Sequence, residues 1–309
     1  MEELIIKTAN LTKTFGKVTA LNELNMQSPR GILGFVGKNG SGKTTTIGVL
    51  LGLIRANTGQ ASLFGLDCWE NSFEIRQKVG VMHETNAYPG NFSARRFLTH
   101  VAKLYGITQI NQTIDELLND VDLTHTQDKP IKTYSAGMFK RLGLAQALIG
   151  NPELAILDEP TANIDPLGRI TLLEKIKEIH TKQGTSFLIS THILSDLEKI
   201  CNYLIIIDQG KIVDQNYLNN LTRKYSANIY KIEVSNSQLF TTAIQKLATI
   251  DKVWTENDKI FCKVNNPEMF CAEIPKIAAE LKLQLKSFQQ TLGSLEEIYT
   301  QTVVGEKQK

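Results

Sequence analysis

The sequence predicts an α/β domain with a mainly parallel sheet, followed by a smaller α+β domain. Three observations predict it. Up to residue 215, short apolar runs alternate with helical patterns, the signature of parallel strands joined by crossover helices. Within that stretch a glycine-rich turn, GKNGSGKTT, joins the apolar run GILGFV to the helical run TTTIGVLLGLI. After residue 220 the order changes to β-α-β-β-α-β, that of a small ferredoxin-like domain.

The first clear strand is Ile32 to Val36, whose unbroken apolar run fits a strand covered on both faces. The glycine-rich turn and its helix follow. Leu154 to Leu157, Phe187 to Ile189 and Leu204 to Ile207 are the other clear strands. The first three of these four strands end in polar residues, and open α/β sheets bind ligands at such carboxyl ends. Residues 93 to 150 differ, because LTHVAKLYG, IDELLND and MFKRLGLAQALIG are all helical. They predict a helical insertion, set at 85–150 within a first domain of residues 1–215.

Residues 216–309 make the second domain. NIYKIEVS is a period-2 strand, LFTTAIQKLAT a helix, and KVWTENDKIFCKV two strands around an Asn257-Asp258 turn. PEMFCAEIPKIAAELK is a helix that contains an awkward Pro275, and LQLKSF a last strand. In GSLEEIY, Ser294 and Glu297 form a capping box that opens a terminal helix.

Composition excludes several classes. Lys and Arg total 34 against 32 for Asp and Glu, so no bulk field announces a nucleic-acid partner. MEELIIKTAN carries two glutamates and no apolar core, so no secretory signal is expected there. No run approaches the roughly 18 apolar residues that span a bilayer. Cys68, Cys201, Cys262 and Cys271 lie far apart without a CxxC pair, which fits thiols in a reducing compartment. His83, His100, His125 and His180 show no metal-ligand spacing and read as ordinary surface or loop residues.

Gly37, Lys38, Asn39, Gly40, Ser41, Gly42, Lys43, Thr44 and Thr45 fit G-x-x-x-x-G-K-[ST] with one residue beyond it. Strand before and helix after are the context a phosphate cradle requires. The glycines let backbone N–H groups turn toward a phosphate, and the helix dipole adds positive potential. Lys43 can reach β- and γ-phosphates, and the Thr44 hydroxyl can bind Mg²⁺. LAILDEP supplies the other half: a buried strand delivers Asp158, which can hold Mg²⁺ through water, and Glu159, which can take a proton from an attacking water.

LTKTFG, GKNGSGKTT, YSAGM with its following KR, LAILDEPTANIDP and LISTH stand in the order and spacing of an ABC-transporter ATPase subunit. The resemblance runs from residue 3 to 215. YSAGM in place of LSGGQ, with a C-terminal domain ending in SLEEIY, looks most like the subfamily that energises multidrug and antibiotic exporters. It implies a P-loop NTPase fold of the ABC ATPase type, ATP and Mg²⁺ as ligands, and hydrolysis. Phe15 then falls where an aromatic stacks on adenine, and Val18 flanks the base. His192, which alone reads as a helix-start residue, contacts the γ-phosphate and positions water. Ser135, Ala136, Gly137 and Met138 form the signature turn that acts on the opposite subunit's ATP, with Ala136 replacing a glycine and Met138 a glutamine. Asp165 belongs to the loop that touches that subunit.

One departure stands out. Where the family carries a glutamine that contacts Mg²⁺ or water and the transmembrane partner, this chain has Glu84. A carboxylate binds Mg²⁺ through water but cannot donate a hydrogen bond. The resemblance implies an ATP-dependent homodimer on the cytoplasmic face of the membrane, driving a separate permease, with export favoured over import. The alternative is a soluble ABC-type ATPase acting on ribosomes or DNA, and a third is a catalytically silent regulatory cassette.

Overall fold

The apolar runs at Ile32, Leu154, Phe187 and Leu204 become strands of one sheet, and their order explains why the polar residues after them meet. The computed structural model describes residues 4–225, 228–290, 295, 296, 298 and 299. The chain divides into two units, Met1–Leu218 and Asn219–Lys309.

The first unit begins with β1 (Leu4–Phe15), β2 (Val18–Leu24), β3 (Gln27–Pro29), β4 (Ile32–Val36) and helix α1 (Lys43–Leu50). It continues with β5 (Thr58–Leu63), β6 (Leu66–Asp67), α2 (Ser72–Lys78) and β7 (Val79–Met82). Three helices follow in succession, α3 (Ala94–Leu104), α4 (Ile110–Asp120) and α5 (Ala136–Leu148). They fill the stretch expected to be a helical insertion. Then come β8 (Leu154–Asp158), α6 (Pro166–Gln183), β9 (Ser186–Thr191), α7 (Leu194–Leu197), β10 (Tyr203–Asp208) and β11 (Lys211–Tyr217).

The main sheet has the order β11-β10-β4-β9-β8-β7. Its strands are parallel except for edge strand β11, which pairs antiparallel with β10. That pairing carries the first unit past residue 215, which falls inside β11. β4 lies beside β9 and β9 beside β8, with Val36 opposite Thr191 and Asp158 opposite Ser190. Three carboxyl ends therefore open onto one edge.

Parallel strands need covering on both faces. Leu33, Phe35, Leu154, Ile156, Leu188 and Ile205 pack into one core with Ile47 and Leu50 of α1 and with Ile6, Leu11 and Leu21. The last three belong to a second, antiparallel sheet of order β2-β1-β5-β6, with β3 also pairing to β1. The sequence reading does not distinguish this sheet. α1 stops at Leu50, short of the expected Ile54, because Gly52 turns left-handed (φ 64°). The Leu53 N–H then bonds back to the Gly48 carbonyl and the Gly52 N–H to Val49, closing the helix end.

After α8 (Leu218–Tyr225), the second unit runs β12 (Ile229–Val234), α9 (Ser237–Ile244), β13 (Ile250–Glu256), β14 (Lys259–Val264), α10 (Pro267–Glu280) and β15 (Leu285–Gln290). Its strands pair antiparallel in the order β13-β14-β12-β15, a split β-α-β arrangement. Asn257 and Asp258 both take positive φ (49° and 61°), as a two-residue type I′ hairpin demands. Ile232, Phe240, Ile244, Ile260, Phe270 and Ile274 form the core, and α10 continues through Pro275. The capping box at Ser294 and Glu297 lies outside the described residues.

Candidate functional site

The turn from β4 into α1 wraps tightly because two of its glycines leave no room for a side chain. A Cβ on Gly37 would stand 2.4 Å from the Ile207 carbonyl oxygen and from Ser41 Oγ. Gly42 caps α1 with φ 112°, and a Cβ there would meet the Ala20 carbonyl at 2.8 Å. Lys43 is buried, and its ammonium donates to the carbonyls of Gly37 (2.6 Å) and Lys38 (3.3 Å). Burial pushes the Lys43 pKa down, opposed by the negative charges of Glu159, Asp158 and Glu84. Ser41 Oγ is buried and finds no hydrogen-bond partner among the described residues. A tight glycine turn at a helix start with one buried cation fits a phosphate chain.

The turn opens into a cavity of about 500 Å³. Asn39, Gly40, Gly42, Lys43, Thr44 and Thr45 line it, together with Glu84, Asp158, Glu159 and His192. Val18, Thr19 and Ala20 of β2 line it as well. Sequence reasoning missed Thr19 and Ala20, which line the cavity beside Val18.

Glu159 is held at every polar atom. It takes a left-handed φ of 46°, unusual for a residue with a side chain. Its N–H donates to the Ser190 carbonyl at 2.9 Å. Its own carbonyl accepts from the Ala162 N–H at 3.2 Å and from Lys140 Nζ at 3.1 Å. The carboxylate accepts from Thr191 Oγ1 at 3.2 Å and sits 2.9 Å from His192 Nδ1. Asp158 accepts a hydrogen bond from Ser190 Oγ. The strand order thus brings Lys43, Thr44, Asp158, Glu159 and His192 together.

Phe15 ends β1, opposite Val18, and both side chains are exposed. Lys13 Nζ lies 4.9 Å from the centroid of the Phe15 ring and donates to the Arg55 carbonyl at 2.8 Å. Ser135 is the N-cap of α5, accepting from the Met138 N–H at 3.2 Å. Ser135, Ala136, Gly137 and Met138 are not among the residues lining the cavity. Asp165 caps α6, accepting from the Gly168 N–H at 2.9 Å.

Lys140, which the sequence reading quotes only as part of the KR after YSAGM and gives no role, is buried on α5. Burial lowers its pKa, while Glu84, Glu159 and Asp158 oppose the shift. Only a chain of tertiary contacts reveals it.

Residues 21–162 match the family described as ABC transporter. The chain is 40% identical over 225 residues to the bacitracin transport ATP-binding protein BcrA of Bacillus licheniformis, covering 72% of this chain and 73% of that one. It is 35% identical over 236 residues to the lantibiotic transport ATP-binding protein SrtF of Streptococcus pyogenes, covering 76% and 97%. Among solved structures, an ATP-binding subunit of an ABC transporter superposes with a TM-score of 0.63 at 26% identity, over 72% of this chain and 93% of that one.

Proposed function

The chain belongs to the ATP-binding subunits of ABC transporters, and from that premise we propose that it hydrolyses ATP to drive a separate membrane permease that exports a peptide-like antibiotic or a related compound. The observation that carries this reading is the meeting of the phosphate turn, Asp158, Glu159 and His192 around one cavity. Relatives named for bacitracin and lantibiotic transport support the class of cargo.

In this reading the amides of Gly40, Gly42 and their neighbours bind the β- and γ-phosphates, and Lys43 offsets their charge. Phe15 stacks on adenine and Val18 flanks it. Glu159 takes the proton of the attacking water, a role that its clamped geometry suits without reorganisation. His192, hydrogen-bonded to that carboxylate, contacts the γ-phosphate and positions the water.

The oxygen donors Thr44, Asp158 and Glu84 on the cavity wall fit a hard cation. Among the described residues no cluster of three His, Cys, Asp or Glu side chains forms a metal cage. That suits Mg²⁺, which is usually held by one or two carboxylates together with substrate phosphates. Bound there, Mg²⁺ would neutralise charge on the phosphates. Thr44 would ligate it directly, and Asp158, oriented by Ser190, through water.

The Ser135 turn acts on the nucleotide held by a second copy, and Asp165 contacts that copy, so the working unit is an ATP-dependent dimer. No helix among the described residues is long and apolar enough to cross a membrane. We place the chain on the cytoplasmic face, docked to a permease whose contact includes the Glu84 segment. Affinity purification of the chain from detergent-solubilised membranes, followed by mass spectrometry, tests this. A polytopic permease should co-purify, whereas ribosomal proteins in its place would overturn the transport reading.

A further inference from the structure

Two lysines among the described residues are buried, Lys43 of the phosphate turn and Lys140 on α5. The roles above use the first and leave the second without one. An ammonium is costly to take out of water and must be repaid by partners. Lys140 Nζ donates to the Glu84 carbonyl at 2.8 Å and to the Glu159 carbonyl at 3.1 Å. Those carbonyls belong to the segments that follow β7 and β8, each of which sends a carboxylate to the cavity.

One of the two contacts falls on a backbone that needs holding. Glu159 sits in the left-handed region, so relaxation of its peptide would swing the carboxylate away from Thr191 and His192. The segment after β7 is gripped a second time by the neighbouring residue, because Phe139 packs on Tyr88 with ring centroids 4.6 Å apart. One turn further on, a Cβ on Gly143 would stand only 3.1 Å from Tyr88 Oη, so α5 lies close against this segment. The same helix starts at Ser135, about 7 Å along the axis from Lys140 at the ordinary helical rise.

We propose that Lys140 is a positioning residue for hydrolysis, pinning the Glu159 peptide and the Glu84 segment to the helix that Ser135 begins. The seating of Ser135 against the partner subunit's nucleotide is thereby transmitted to this chain's own base. The inference rests on Glu159 as that base.

The test is steady-state ATPase kinetics of the full chain with Lys140→Met, which keeps the length and removes the charge and donors. Turnover should fall about 10- to 100-fold, the scale expected when a catalytic group is misplaced by about 1 Å, while KM and ATP binding stay unchanged. Lys140→Arg, still a cationic donor, should return to within about threefold of the wild type. In a Glu159→Gln background Lys140→Met should cost less than about threefold more, since it acts through the group already lost. Lys140→Gln serves the same comparison if the Met variant does not fold. Wild-type turnover in the Met or Gln variant, or loss of ATP binding, overturns the proposal. So does a lowered melting temperature with unchanged turnover per folded molecule. Near-normal turnover in Glu159→Gln alone would overturn the base assignment, a separate outcome.

Discussion

His192 Nδ1 stands 2.9 Å from Oε1 of Glu159, joining an exposed imidazole to a buried carboxylate across neighbouring strand ends. In the role of base the carboxylate accepts here, and Nδ1 then carries the hydrogen of this bond. Glu159→Gln should lower turnover by about 10²–10⁴-fold, the usual worth of a general base, while ATP still binds and traps a dimer. His192→Ala should lose activity on a similar scale, and His192→Asn, which keeps a donor near the Nδ1 position, should retain more. Rapid-quench kinetics and gel filtration with ATP read both effects. Near-normal turnover in the Gln variant would remove Glu159 from the role of base.

The phosphate turn makes a second, steric prediction. Gly42→Ala combines a φ of 112° with a Cβ 2.8 Å from the Ala20 carbonyl. It should cost about 2–3 kcal/mol of stability and remove ATP binding. Gly40→Ala has a smaller positive φ of 79° and open space around it, so it should cost about 1 kcal/mol from backbone strain alone. Urea titration separates the two variants, and equal losses would show that crowding against β2 is not what selects glycine at 42.

Much of this site is readable in sequence because its parts are local. Ile32–Val36, Leu154–Leu157 and Phe187–Ile189 are apolar runs with polar residues after them, and GKNGSGKTT bridges a strand to a helix. The antiparallel sheet is not readable in that way. β1 interleaves Lys7, Asn10 and Lys13 with its buried residues and carries register irregularities, while β3 and β6 span three and two residues. The role of Lys140 escapes for a different reason, although the residue itself stands in the KR that follows YSAGM. Its partners lie 56 and 19 residues earlier and later in the chain, and both are backbone carbonyls that carry no sequence signal.

The cysteines divide by burial. Desolvation pushes the thiols of Cys68, Cys201 and Cys262 up to about 12, and all three are buried, whereas Cys271 is half-buried. A thiol held so far above neutral pH carries almost no thiolate. Brief alkylation of the native protein should therefore label Cys271 first, with the other three reacting only after denaturation. Peptide mapping by mass spectrometry reads the order, and early labelling of Cys201 would place an opening near α7.

Ser135 allows the sharpest discrimination. The residue caps α5, so Ser135→Ala should cost about 1 kcal/mol through the lost acceptor for the Met138 N–H. Ser135→Arg should abolish hydrolysis while monomeric ATP affinity survives, since the Ser135 turn does not line the chain's own cavity. Mixing two dead proteins then decides whether the turn acts in trans. In a heterodimer of Ser135→Arg with Glu159→Gln, one site joins the intact Glu159 of the first chain to the intact Ser135 of the second. The other site carries both lesions. A symmetric dimer mixed at equal amounts should therefore recover up to about one quarter of wild-type turnover. If the turn served its own chain's nucleotide, every site in the mixture would carry one lesion and none would recover.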